Sequence, residues 1–331
     1  MSNPYRQGMY RSGFIRRIAQ WMDALPHPPL ACEIAPERIA AARWTRTGGL
    51  DEFSVEALPG GAIVPSPVET NIVDPASVRA AVTTVFGRLK AHHQDVVLLV
   101  PDPVIRVFVQ HFDEFPQSPG EAAPMLRWKL KKSVPFEAEE TLVSYMRQMP
   151  RDQGVDVVAG LARLRIVREY EALAEAAGLR PGVVLTSSLA ALTLLNDSQA
   201  TLLARVCGAS LTTAIVRQDV LCGYRCTELR EDAAKLTPEM LLEEVYPVSA
   251  YYQDYWQEGI QSVRLGGLGF RAAEFIGPLE EELRCPVGSL VGSLQREGRL
   301  REDAQPLADR ELEGLLGWMQ YRGSRSEARP R

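Results

Sequence analysis

LACEIAPERIAAARW, from Leu30 to Trp44, and TLLARVCGASLTTAIVR, from Thr201 to Arg217, decide the fold when set side by side. Each reads as two apolar strands around a tight turn. The first pair is Leu30 to Ile34 and Ile39 to Trp44, joined at Ala35-Pro36-Glu37. The second is Thr201 to Val206 and Leu211 to Val216, joined at Cys207-Gly208-Ala209-Ser210. A third strand follows each pair, Phe53 to Ala57 after Gly48-Gly49 and Val220 to Cys226. A helix then closes each unit. Asp74-Pro75 opens one, with Val78, Val82, Val85 and Leu89 on its apolar face; Thr237-Pro238-Glu239 opens the other, with Met240, Leu241, Val245 and Val248 at core spacing. A βββα unit therefore occurs twice. The copies begin roughly 170 residues apart, too far for a solenoid and suited to a duplicated two-lobed α/β fold.

Between the copies the spacing predicts strands Val96 to Val100, Val104 to Phe112, Leu142 to Gln148 and Val155 to Leu164. A helix lies between Ser118 and Lys132, and Pro119 and Pro124 both fit its first position. Ile166 to Ala177 forms another helix, ended by Gly178. The expected division is a leader with an amphipathic helix over 1–29, its apolar side Phe14, Ile15, Ile18, Trp21, Met22 and Leu25. A first lobe over 30–198 carries an inserted α+β subdomain at 95–180. A second lobe with a closing helix spans 199–320, and 321–331 is a disordered tail.

Composition narrows the function. Against 37 Lys and Arg stand 42 Asp and Glu, a net charge of -5, with no basic stretch interleaved with aromatics, which argues against nucleic acid as a partner. The five cysteines form no CxxC pair and suit a reducing compartment. No apolar run reaches the ~18 residues that span a bilayer, and no h-region follows the N-terminal arginines, so a cytoplasmic location is expected. The scattered histidines have no partner at metal or triad spacing, and Glu137, Glu139 and Glu140 read as a solvated acidic face.

Several segments, in order and at similar spacing, resemble the PilM family of the actin-like ATPase superfamily. They are Val97-Leu98-Leu99-Val100-Pro101, Trp128 ahead of Val134-Pro135-Phe136, and Ala176-Ala177-Gly178-Leu179-Arg180-Pro181. In the second half come Leu241 to Tyr252, Val263-Arg264-Leu265-Gly266-Gly267-Leu268-Gly269, Arg284-Cys285-Pro286-Val287 and Leu315-Leu316-Gly317. The resemblance runs from about Leu30 to Met319. It implies an actin-like two-lobed fold and a role as a type IV pilus assembly platform at the cytoplasmic face of the inner membrane. The partner it implies is the cytoplasmic tail of a PilN-like membrane protein, with pilus motor ATPases as further partners and peripheral membrane association. The same superfamily leaves open an active ATPase or kinase, and the type II secretion platform.

The resemblance also places a nucleotide cleft, with Gly208, Ala209, Ser210, Gly266, Gly267 and Gly269 as its candidate residues and ATP as a structural ligand. The turns are degenerate. Pro36 has no N–H to offer a phosphate, and Cys207 and Thr186 stand where active relatives place aspartate. Loss of hydrolysis is therefore expected, with no catalytic or metal residue named. For the partner tail the candidates are Val104, Val107 and Val109 on one strand, with Leu126 and Trp128 nearby. The Arg127, Lys129, Lys131 and Lys132 side of that helix suits either an acidic partner or packing under its own sheet.

Overall fold

The computed structural model describes residues 28–326, apart from 46–47, 92–93, 138–139, 151–153, 196–198, 219 and 232. The expected helix at Phe14 to Leu25, His92, His93 and Glu139 lie outside the described residues.

The first meander is β1 (Leu30–Ala35), β2 (Arg38–Trp44) and β3 (Leu50–Ala57), closed by α1 (Pro75–Arg88). The second is β9 (Thr201–Cys207), β10 (Ser210–Arg217) and β11 (Val220–Glu228), closed by α5 (Pro238–Trp256). Asp74 caps α1 through the backbone N–H groups of Ala76 and Ser77, and Thr237 caps α5 through that of Met240, each ahead of a proline.

The duplication goes further than these units. After α1 come β4 (Asp95–Val100), α3 (Leu164–Ala176), β8 (Arg180–Thr186) and α4 (Ser187–Ala191). After α5 come β12 (Ser262–Gly266), α6 (Ala272–Leu283), β13 (Val287–Ser289) and α7 (Leu290–Arg296). The sheets are ordered β3-β2-β1-β4-β8 and β11-β10-β9-β12-β13. In each, the first strand of the meander pairs antiparallel with the second and parallel with the strand after the helix. Val96 to Val100, expected inside a subdomain at 95–180, thus belongs to the first sheet, as does the strand through Val183 to Leu185. The separate three-stranded sheet is narrower: β5 (Arg106–Phe112), β6 (Thr141–Pro150) and β7 (Val155–Arg163), ordered β5-β7-β6, with α2 (Pro119–Leu130) on it. Pro119 takes the first helical position, Pro124 lies inside α2, and Gly178, with φ of 76°, ends α3.

Alternation along the strands separates the cores. On β1, Leu30, Cys32 and Ile34 face α1 and α3 with Val82, Val85 and Tyr170, whereas Ala31 faces the middle of the molecule. On β9, Leu202, Ala204 and Val206 pack with Val245 and Phe275 of α5 and α6, whereas Leu203 joins Ala31 in the central core. That core holds both lobes together through α4 and α8 (Glu313–Ser326), with Trp318, Leu315 and Leu316 fully buried. The closing helix continues to Ser326, beyond residue 320 where the tail was expected to begin.

Candidate functional site

Two charged residues interrupt the inner faces of the central strands. Ala35 pairs with Arg38 and Cys207 with Ser210, so counting back from each turn puts Glu33 and Arg205 at the same position in the two copies. They meet. Arg205 Nη2 donates to Glu33 Oε1 at 3.0 Å and its Nε to Glu313 Oε2 at 2.8 Å, with side-chain exposures of only 3 to 4%. Its Nη1 lies 3.3 Å from Ser188 Oγ and 3.9 Å from Asp102 Oδ2.

The cluster extends through hydrogen bonds. Glu33 accepts from the Ser187 hydroxyl and from Leu315 N, and Glu313 accepts from Gly267 N at 2.9 Å. Asp102, just past β4, accepts from Ser188 N and Oγ, Thr212 Oγ1 and Tyr224 Oη. Glu33, Asp102 and the two serines belong to the first sheet and its α4; Arg205, Thr212 and Tyr224 belong to the second. Burial alone would lower the Arg205 pKa, but the carboxylates of Glu313 and Glu33 more than reverse this and raise it, so its charge is permanent. Burial pushes the Cys207 thiol up as well, keeping it neutral.

A nucleoside triphosphate is a poor match to these residues. The two meander turns touch: a Cβ built on Gly208 would stand 2.9 Å from Pro36 Cγ. Phosphates between the turns would meet the Glu33 and Glu313 carboxylates, while Arg205, buried beside them, is already bound to both. Thr186 caps α4 by accepting from Leu189 N, and its hydroxyl lies 3.2 Å from Tyr224 Oη.

Of the expected nucleotide residues, Gly208 and Ala209 form the turn against Pro36, and Ser210 is buried at the start of β10. Gly267, with φ of 70°, is needed for packing, since a Cβ there would come within 1.8 Å of Val206 O. Gly267 and Gly269 border a cavity of about 230 Å³ whose charged lining is Asp309, Glu311 and Glu313, all acidic. Gly266 lies against Arg205 and Glu313.

The residues expected to hold a partner do not form one groove. Val104 lies in a short 3-10 turn, Asp102–Val104, and is fully buried in the first lobe's core, because Pro101 and Pro103 keep the strand from starting until Arg106. Leu126 is buried beneath α2, whereas Trp128, two positions on, points away with 69% exposure. Val107 lines an apolar cavity of about 330 Å³; Val109 lies at a second cavity bordered by Tyr251, Tyr255 and Trp256. Lys129 Nζ, on the basic side of α2, donates to His111 O and sits over the Phe112 ring, and Arg127 donates to Thr141 O.

The 330 Å³ cavity lies between the three bodies. Leu142, Ser144 and Met146 of β6 form one wall, Leu185 and Leu189 beside α4 another, and Leu221 of β11 closes the end. Gln148 fixes that end by bonding both Leu221 N and O, at 2.8 and 2.9 Å. The outer edge of β6 pairs with no strand among the described residues.

No family model and no curated protein matches the chain. Solved structures do match. The two duplicated sheets and the shared central core define the class, an actin-like two-lobed fold. Within it the fold is PilM-like: the chain superposes on the "PilM-PilN type IV pilus biogenesis complex" with a TM-score of 0.67 and 15% identity, over 89% of this chain and 99% of that one. The cytoplasmic domain of EpsL, an inner-membrane component of the Vibrio cholerae type II secretion system, matches with a TM-score of 0.45 and 14% identity, over 71% of this chain and 80% of that one. A Bacteroides thetaiotaomicron protein of actin-like ATPase fold and unknown function matches at 0.47 and 11%, over 87% of this chain and 97% of that one. No helix among the described residues is long and apolar enough to cross a membrane.

Proposed function

We propose that the chain is a scaffold of a type IV pilus platform at the cytoplasmic face of the inner membrane, binding the cytoplasmic tail of a PilN-like membrane protein without hydrolysing ATP. One observation carries the reading. In a fold like that of the solved PilM–PilN complex, β6, whose outer edge pairs with no strand among the described residues, lines an apolar groove. An extended peptide pairing with β6 would place alternate side chains against Leu142, Met146 and Leu189, the combination by which strand addition gains both affinity and selectivity. The cavity falls within the range of about 300–1,000 Å³ typical of ligand sites. The unmatched phosphate turns support a binding role over catalysis, since phosphoryl transfer depends almost wholly on positioned charge.

The test is calorimetry with the cytoplasmic terminal peptide of a PilN-like bitopic membrane protein from the same genome. Binding should weaken by at least about tenfold, or 1.4 kcal/mol, on Val143→Pro or Leu142→Asp. Unchanged affinity in both variants would remove the groove from consideration. Steady-state phosphate release is expected to stay near background with Mg-ATP; turnover near ~10 per second would favour the ATPase reading instead.

A further inference from the structure

The apolar groove exists only while three bodies hold their places. Leu185 and Leu189 flank Ser187 and Ser188, whose hydroxyls are bound to Glu33 and Asp102. Asp102 also holds Thr212 and Tyr224, on the second sheet that presents Leu221 to the same groove. Arg205 ties Glu33 of the first lobe to the second. Gln148 then fastens the three-stranded sheet to Leu221.

An external ligand closes a two-lobed protein only as far as it binds the closed form better than the open one, and only while it is present. Here the cation that bridges the lobes is part of β9, and the anions are part of β1, α8 and the turn after β4. Opening would break the Arg205–Glu33 ion pair and take Thr212 and Tyr224 away from Asp102, and breaking a buried, hydrogen-bonded ion pair is costly.

We infer that the buried Arg205–Glu33–Asp102–Glu313 cluster is an internal latch that occupies the place of a nucleotide, keeping the lobes at the spacing that forms the peptide groove with no ligand bound. Arg205 is a positioning residue for partner binding. The inference rests on the groove reading above for its consequence, but not for the latch itself.

The experiment is hydrogen exchange by mass spectrometry on the full chain, followed by calorimetry with the same tail peptide. The probe for nucleotide is Mg-ATP. In the parent protein, exchange across 183–191, 203–213 and 221–226, and the peptide affinity, should not change with Mg-ATP. Glu33→Gln and Arg205→Met should raise exchange together in segments of both lobes and weaken the peptide by at least about tenfold. Arg88→Ala, a surface change beside Glu56, should do neither.

Should Arg205→Met fail to fold, Glu33→Gln and Ser188→Ala carry the same comparison. Slower exchange or tighter peptide binding on adding Mg-ATP would overturn the latch. So would folded Arg205, Glu33 and Ser188 variants that exchange like the parent. Coupled exchange with no peptide binding to the parent protein would support the latch and overturn the groove reading alone.

Discussion

The first lobe and the second carry the same sheet order, the same cap-and-proline helix start and the same two-residue turn, yet at the position facing the other lobe one has Glu33 and the other Arg205. Strict repetition would have set like charges face to face in a buried interior. The opposite pair lets the pseudo-equivalent strands approach and bond at 3.0 Å. Divergence between the copies is thus what makes them one body. The turns show the same complementarity, with the proline of one copy resting on the glycine of the other.

The largest effect expected of this comparison is on stability. Arg205→Met should cost about 3–5 kcal/mol, because it strands Glu33 and Glu313 without their cation. Glu33→Gln should cost less, since the amide oxygen still accepts from Arg205 and Arg205 keeps Glu313. Urea unfolding at neutral pH measures both. A neutral Arg205→Met would mean that the lobes are held by the apolar core of Trp318, Leu315 and Leu316 alone.

A second contrast concerns glycines with opposite surroundings. Gly317 of α8 crosses α4 so closely that a Cβ would stand 2.2 Å from Ala190 O, whereas one at Gly87 in α1 meets nothing within 4 Å. Gly317→Ala should therefore lose about 1–3 kcal/mol by overpacking. Gly87→Ala should gain about 0.4–1 kcal/mol by restricting the unfolded chain. Equal effects at the two sites would show that α8 can shift away from α4, and that the junction is looser than its packing indicates.

Much of this duplication is legible in the sequence, and the misreadings have physical causes. Both meanders stand out because short apolar runs are punctuated by proline and glycine. Val96 to Val100 reads as part of the insertion because a parallel strand buried on both faces is an unbroken apolar run, with no alternation to say which sheet it joins. Leu126 and Trp128 are close in sequence, but residues two apart on a helix face different ways, one buried and one exposed. Arg205 carries a signal that composition and motif spacing pass over. It is a lone charge within TLLARVC, two residues before the final strand residue, matching the offset of Glu33 within LACEIA.

The smallest contrast lies at the start of the two equivalent helices. Asp74 caps α1 with a carboxylate, and its hydrogen bonds, that with the Ser77 side chain foremost, hold its pKa below the ordinary value. Thr237 caps α5 with a neutral hydroxyl, and a hydrogen bond with that side chain does most to lower the pKa of Glu239. A folded-state pKa depressed in this way contributes stability above the unfolded pKa, which is lost as pH falls through the folded one. Both lobes should therefore weaken as pH falls through and below the ordinary carboxylate range, each through a different residue. Asp74→Asn keeps a good cap and should leave neutral stability nearly unchanged, while flattening part of the acid slope. Thr237→Ala should cost about 1 kcal/mol at neutral pH through the lost cap. It should also flatten the Glu239 part of the slope. Unfolding midpoints measured across that pH range would separate the two. An acid slope unaltered by both substitutions would show that the helix caps do not carry the acid sensitivity.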